Sequence, residues 1–149
     1  MDKINEIHNE MKEFFTNMVP VPWTKFVFYA ECLKGYNTFW FGYTEKETGV
    51  VCTFSSFHIR YENYNDDEST RNRKLINFSR NYYNAYIEQN GDKNIWYSFV
   101  FVLNEDGTFN VDYYDKPFEG TAFDRSDHVL EKYFGIKYKP LRGKYPSKE

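Results

Sequence analysis

A chain of 149 residues with 41% hydrophobic and 28% charged side chains has enough apolar material for one domain with a sizeable core. Its net charge of −3 gives no general footing for nucleic-acid or membrane binding, and two cysteines are too few for a disulfide framework. Aromatic residues reach 21%, mostly 15 Phe and 14 Tyr, which favours a strand-rich fold.

The opening Met1-Asp2-Lys3-Ile4-Asn5-Glu6 is charged and lacks the apolar core of a signal peptide. No apolar run approaches the roughly 18 residues that span a bilayer. The expectation is a cytoplasmic protein, with Cys32 and Cys52 as reduced, buried thiols. Residues 2–18 show helical spacing, with Ile4, Ile7, Met11, Phe14, Phe15 and Met18 on one stripe, Asp2 as N-cap and His8 on the polar side. Pro20 and Pro22 stop that helix.

Residues 23–33 then read as a first strand, Lys34-Gly35-Tyr36-Asn37 as a turn, 38–44 as a second strand and Val50 to His58 as a third. Short turns between them make an antiparallel meander. Its second face would carry Tyr29, Trp40 and Phe54, a surface that needs a cover or a partner. A central helix runs from about Ser69, its N-cap, to Gln89, with Asp66, Asp67 and Glu68 favoured at its positive end. Leu75, Phe78, Tyr82, Ala85 and Tyr86 form its apolar stripe, and Arg71, Arg73, Lys74 and Arg80 a solvated face. Ile95 to Leu103 reads as a central strand, apolar on both faces. It turns at Asn104-Glu105-Asp106-Gly107 into a return strand over Thr108 to Tyr114. A short helix from Ser126 to Phe134 and a loose tail over about 141–149 complete the chain. The fold class is therefore α+β: an antiparallel sheet of about five strands, meander plus hairpin, packed by an N-terminal, a central and a short C-terminal helix, all in one domain over 1–149.

Motifs for chemistry are missing. The sequence holds no G-x-S-x-G, P-loop or G-x-G-x-x-G, and no nucleophile beside a local base. Asp124 and His128 are four apart, but the expected helix starts after Asp124 and no third ligand is evident, so no metal, cofactor or catalytic residue is assigned.

Four stretches carry a resemblance. They are Met18-Val19-Pro20-Val21-Pro22-Trp23-Thr24-Lys25 with Tyr29-Ala30-Glu31; Phe39-Trp40-Phe41-Gly42-Tyr43; Trp96 opening a strand that turns at Asp106-Gly107 into Phe109-Asn110-Val111-Asp112-Tyr113; and Leu130-Glu131-Lys132-Tyr133-Phe134-Gly135-Ile136. In order and spacing they resemble the YezG-like (EsaG-type) immunity proteins of bacterial polymorphic toxin systems. Residues 55–90 depart most, being Tyr-rich and basic here.

The resemblance implies a non-enzymatic antitoxin that binds a secreted toxin, of nuclease type, through direct protein contact. A nuclease active site is basic, so acidic groups would steer the encounter and exposed aromatics would anchor it. The expected contacts are Glu105, Asp106, Asp112, Tyr114, Asp115 and Glu119 around the last hairpin, and Glu62, Tyr64, Asp66 and Asp67 before the central helix. The alternative expectation is a small-molecule-binding or scaffold domain with a pocket lined by Tyr29, Trp40 and Phe54.

Overall fold

The computed structural model describes residues 2–33, 35–61 and 66–136. The chain divides into two compact units, Met1–Lys116 and Pro117–Glu149. The first holds a five-stranded antiparallel sheet and three helices, and the second holds one helix among its described residues.

Helix α1 spans Lys3–Met18 and is capped by Asp2, whose carboxylate accepts from Asn5 N at 2.8 Å. Its buried stripe is Ile4, Ile7, Met11, Phe15 and Met18, the three-and-four spacing that puts side chains on one helical face. Strand β1 (Trp23–Leu33) follows the two prolines, and β2 (Tyr36–Glu45) returns after a turn in which Gly35 takes φ +76°, open to glycine without strain. The remaining strands are β3 (Val51–Thr53), β4 (Ser98–Asn104) and β5 (Phe109–Tyr114), in the order β3-β2-β1-β4-β5. All four pairings are antiparallel. The expected sheet is present, with β1 rather than β4 at its centre.

One sheet face packs on the helices of this unit. Phe15 of α1 stacks on Phe26 at 4.5 Å and reaches Phe28 and Phe101 at 5.2 and 6.0 Å. Trp23 joins the same cluster beside Phe26, at the seam between α1 and the sheet. His8 is part of this interior and not of the polar side: Nε2 lies 2.8 Å from the Tyr82 hydroxyl and the ring packs on Phe101 and Phe109. The opposite face is also apolar, and its Val27, Tyr29, Trp40 and Val100 are buried.

The expected third strand is corrected. Only Val51–Thr53 pairs with β2, and Phe54–Arg60 forms helix α2. A strand would send Phe54 and Phe57 to opposite faces, whereas a helix turns residues three apart to one side. Phe57 is fully buried against Phe41 and Tyr43, and Phe54 packs on Phe39 and Phe41 at 5.0 and 5.5 Å. The Ser56 hydroxyl bonds back to the Thr53 carbonyl at 3.2 Å and steadies the first turn.

Helix α3 is Glu68–Asn90, and its cap is Asp67, not Ser69: the Asp67 carboxylate accepts from Thr70 N and Oγ1 at 3.2 and 2.8 Å. Arg71, expected in solvent, is buried. It pairs with Asp66 and lies 4.9 Å over the Phe57 ring, so it ties α3 to α2. Ile95 and Trp96 precede β4 rather than open it. The buried Trp96 is wedged edge-on against Tyr83 and Tyr86 of α3, after Asn94 turns the chain with φ 60°.

In the second unit, α4 spans Ala122–Phe134. It starts before the expected cap at Ser126, because Thr121 and Asp124 form a capping box. Gly120 permits it: a Cβ there would fall 2.5 Å from the Asp124 side chain. No helix among the described residues is long and apolar enough to cross a membrane. The expected tail over 141–149 lies outside the described residues.

Candidate partner-binding surface

Members of the two acidic clusters expected to meet a partner, Glu105 with Asp106 and Asp66 with Asp67, are distant in sequence and lie on either flank of the last turns of α1. On one flank, the β2–β3 and β4–β5 turns clamp the entry to β1: Lys46 N donates to the Pro22 carbonyl and Glu105 N to the Thr24 carbonyl, at 2.9 and 3.0 Å. Lys46 Nζ and Glu105 Oε1 close the clamp at 2.9 Å. Beside it runs an open groove of about 410 Å³ lined by Lys12, Thr16, Val19, Trp23, Lys46 and Glu105 among others. On the other flank, a groove of about 310 Å³ is lined by Phe14, Asn17, Met18, Asp66, Asp67 and Arg71 among others. Between the grooves stand the exposed side chains of Glu13, Thr16 and Asn17. No basic residue occupies the last turn of α1, so the negative end of its dipole adds to Glu13 and Asp67, while Lys46 offsets Glu105, and Lys12 and Lys74 line the grooves on either side.

Each of these acids also has a local role. Asp106 accepts from Thr108 N and Oγ1 at 2.9 and 2.7 Å, and these bonds hold its carboxyl below its usual range. Asp67 is held down in the same way by Thr70. Both remain ionised and exposed while shaping a turn and a helix start. Asp66 is turned inward to Arg71.

The expected contacts on and just past β5 do not join this surface. Asp112 and Tyr114 are half-buried on the face of β5 turned away from α1, and Asn110 Nδ2 donates to Asp112 Oδ1 at 3.0 Å. Asp115 is exposed just past the far end of β5, which is roughly 17 Å long at the rise of an extended chain. Glu119 is exposed in the second unit. Glu62 and Tyr64 lie outside the described residues.

A further surface was not anticipated from sequence. Leu33 and Tyr36, 40% and 43% exposed, flank the β1–β2 turn. With Asn37, Ile76, Arg80 and Tyr83 they line a groove of about 550 Å³ against α3. The signal available was the pairing of apolar Leu33 and Tyr36 with a turn, where solvated residues are the norm.

The pocket expected from Tyr29, Trp40 and Phe54 does not form. Tyr29 and Trp40 are cross-strand partners on one face, both buried, while Phe54 packs on the other. The Tyr29 hydroxyl donates to the buried Glu31 carboxylate at 2.5 Å.

Nucleophiles are quenched rather than activated. Cys32 and Cys52 are free and buried, as expected. Burial pushes the Cys32 thiol up to about 12, with Sγ 3.0 Å from Ser79 Oγ, and raises Cys52 likewise. A dense polar cluster at Glu45 is structural. The Glu45 carboxylate accepts from Arg60 Nε and Nη2 at 3.0 and 2.8 Å, from Tyr61 at 2.7 Å and from Thr48 at 2.7 Å. This locks α2 to the end of β2. Asp124 and His128 share α4 after all, but Asp124 is used in the cap and His128 stacks on Phe118 at 5.7 Å. No three His, Cys, Asp or Glu among the described residues are placed to hold a metal.

The sequence matches the family described as Immunity protein YezG-like over residues 4–148. The chain belongs to the YezG-like immunity protein family. That match spans nearly the whole chain, both units included. Among curated proteins, none matches the chain. Membership of this family gives the YezG-like chain an immunity role.

Proposed function

We propose that this protein is an antitoxin that neutralises a cognate secreted bacterial toxin, of the nuclease class, by direct binding in the cytoplasm. The observation that carries the reading is membership of the YezG-like immunity family across residues 4–148. The contact surface is the end of α1 with its two flanking grooves. Glu105 on one flank and Asp67 on the other offer carboxylates, beside Lys12, Lys46 and Lys74, to the basic cleft of an enzyme that handles nucleic acid. Asp112, Tyr114 and Asp115, on and just past β5, take second place as contacts because they stand apart from that end, and Glu119 belongs to the second unit. Polymorphic toxins act in competition between bacteria, so the protein protects its own producer.

The test uses the toxin from the adjacent reading frame. Asn17→Lys places bulk and the wrong charge between the grooves at an exposed site, where the fold has little to lose. It is expected to weaken toxin binding at least 100-fold, about 3 kcal/mol, with the melting temperature unchanged. Asp92→Lys, at the far end of the roughly 34 Å long α3, is the control and leaves binding intact. Equal binding by wild type and Asn17→Lys would remove the α1 end from the account. Tyr36→Ala and Arg80→Ala would then test the groove beside the β1–β2 turn.

A further inference from the structure

Strand β5 lies at the edge of the sheet and has β4 as its sole strand neighbour among the described residues. Edge strands are ordinarily blunted by Lys, Pro, a bulge or extreme shortness. Its six residues, Phe109-Asn110-Val111-Asp112-Tyr113-Tyr114, contain neither Lys nor Pro, and its register with β4 runs without a shift. By contrast β3, at the opposite edge, has three residues.

The direction of the backbone groups on β5 follows from the ladder. Asn104 N donates to the Thr108 carbonyl at 2.9 Å, so Thr108 is a bonded partner of β4. Bonded and non-bonded pairs alternate in an antiparallel ladder. Asn110 and Asp112 therefore also turn their N–H and C=O toward β4, opposite Val102 and Val100. Phe109, Val111 and Tyr113 turn theirs outward, and they are evenly spaced about Val111. Phe109 and Tyr113 are 38% and 40% exposed, and Val111 is half-buried.

The first five residues of β5, Phe109 to Tyr113, read the same in both directions by chemical type: aromatic, polar, valine, polar, aromatic. We propose that β5 pairs with β5 of a second copy, antiparallel about a two-fold axis through Val111, joining two sheets into one of ten strands. In that register Val111 meets its own copy, Phe109 meets Tyr113 and Asn110 meets Asp112. Aromatic–aromatic and amide–carboxylate pairs are both favourable cross-strand neighbours. The three outward residues of each copy supply the bonded positions of the new ladder. A contact of this length lies at the low end of specific interfaces, which makes the dimer concentration-dependent. The proposal does not depend on the antitoxin reading.

The test is sedimentation equilibrium of the full chain from about 1 μM to about 1 mM, the range over which a weak dimer assembles. The mass is expected to rise from 18.0 kDa toward twice that value. Val111→Lys sets like charges opposite each other across the axis and is expected to stay monomeric throughout, with an unchanged circular dichroism spectrum. Amide exchange gives a second readout on the unmodified protein: the N–H groups of Phe109, Val111 and Tyr113 slow at least tenfold at the high concentration, while those of Asn110 and Asp112 do not change. A wild type that remains monomeric, a Val111→Lys dimer as strong as wild type, or exchange at those three amides that ignores concentration each overturns the proposal.

Discussion

Glu45, Arg71 and His8 show how single polar residues hold this interior in register. The Glu45 carboxyl is held down at about 2 from an ordinary 4.5, first by the bonds from Arg60 and then by those from Thr48 and Tyr61. Its contribution to stability is therefore full above about 4.5 and is lost as pH falls from there toward 2. His8 is held below 6.5 chiefly by burial, against a smaller opposing pull from Asp2. A group that folds neutral and unfolds readily protonated stabilises above 6.5 and destabilises as acid is added. The melting temperature should thus fall in two stages on acidification, the first below 6.5 and the second below 4.5. His8→Gln flattens the first stage and Glu45→Gln the second; a profile unchanged by either substitution would remove that residue from the account. Arg71→Ala leaves the Asp66 carboxylate buried without its partner and should cost about 3 kcal/mol by chemical denaturation. Both misplaced residues had a readable signal. Arg71 stands four before Leu75, and His8 four after Ile4 and three before Met11, so each extends an apolar stripe. A charged or titratable side chain on such a stripe needs its partner identified, and Asp66 and Tyr82 are fixed by the tertiary fold alone.

Elements whose periodicity was long were legible, and short ones were not. The spacing in α1 and α3 and the aromatic alternation in β1 and β2 give their type and nearly their bounds. Val50 to His58 carries β-favouring residues, yet the Phe54–Phe57 spacing is helical, and packing of both rings on one sheet face, Phe57 fully buried and Phe54 partly, decides in favour of α2. Phe57→Ala should therefore cost about 4 kcal/mol, a loss of roughly 8–16 °C in melting temperature for a chain of this size. A loss near zero would mean that α2 does not close the sheet end. In α4 the start was hidden because Thr121 and Asp124 make their capping box ahead of any apolar repeat. Thr121→Ala should cost about 1 kcal/mol of local helix stability, visible as faster amide exchange in the first turn of α4.

At the scale of the molecule, polar groups of the first unit such as Glu45 and Arg71 tie its helices to the sheet and to each other. The exposed acids shape turns and caps while staying charged, which suits a surface that must be preorganised before it meets a partner. That Glu105 and Asp67 flank the end of α1 could not be read from the sequence. Asp67 and Glu105 are far apart in the chain, and the antiparallel placement of α1 against α3 and the crossing of β1 between two turns are what bring them to one end. The groove at Tyr36 and Arg80 was hidden for the same reason, since it needs α3 to lie beside the β1–β2 turn. The central claim, that the protein neutralises a nuclease toxin by binding it, is tested most directly by co-expressing the chain with the toxin domain from the adjacent reading frame. The account predicts that the two co-purify and that nuclease activity is abolished in the complex and returns when the protein is stripped away. Separate elution with the toxin fully active in its presence would contradict it.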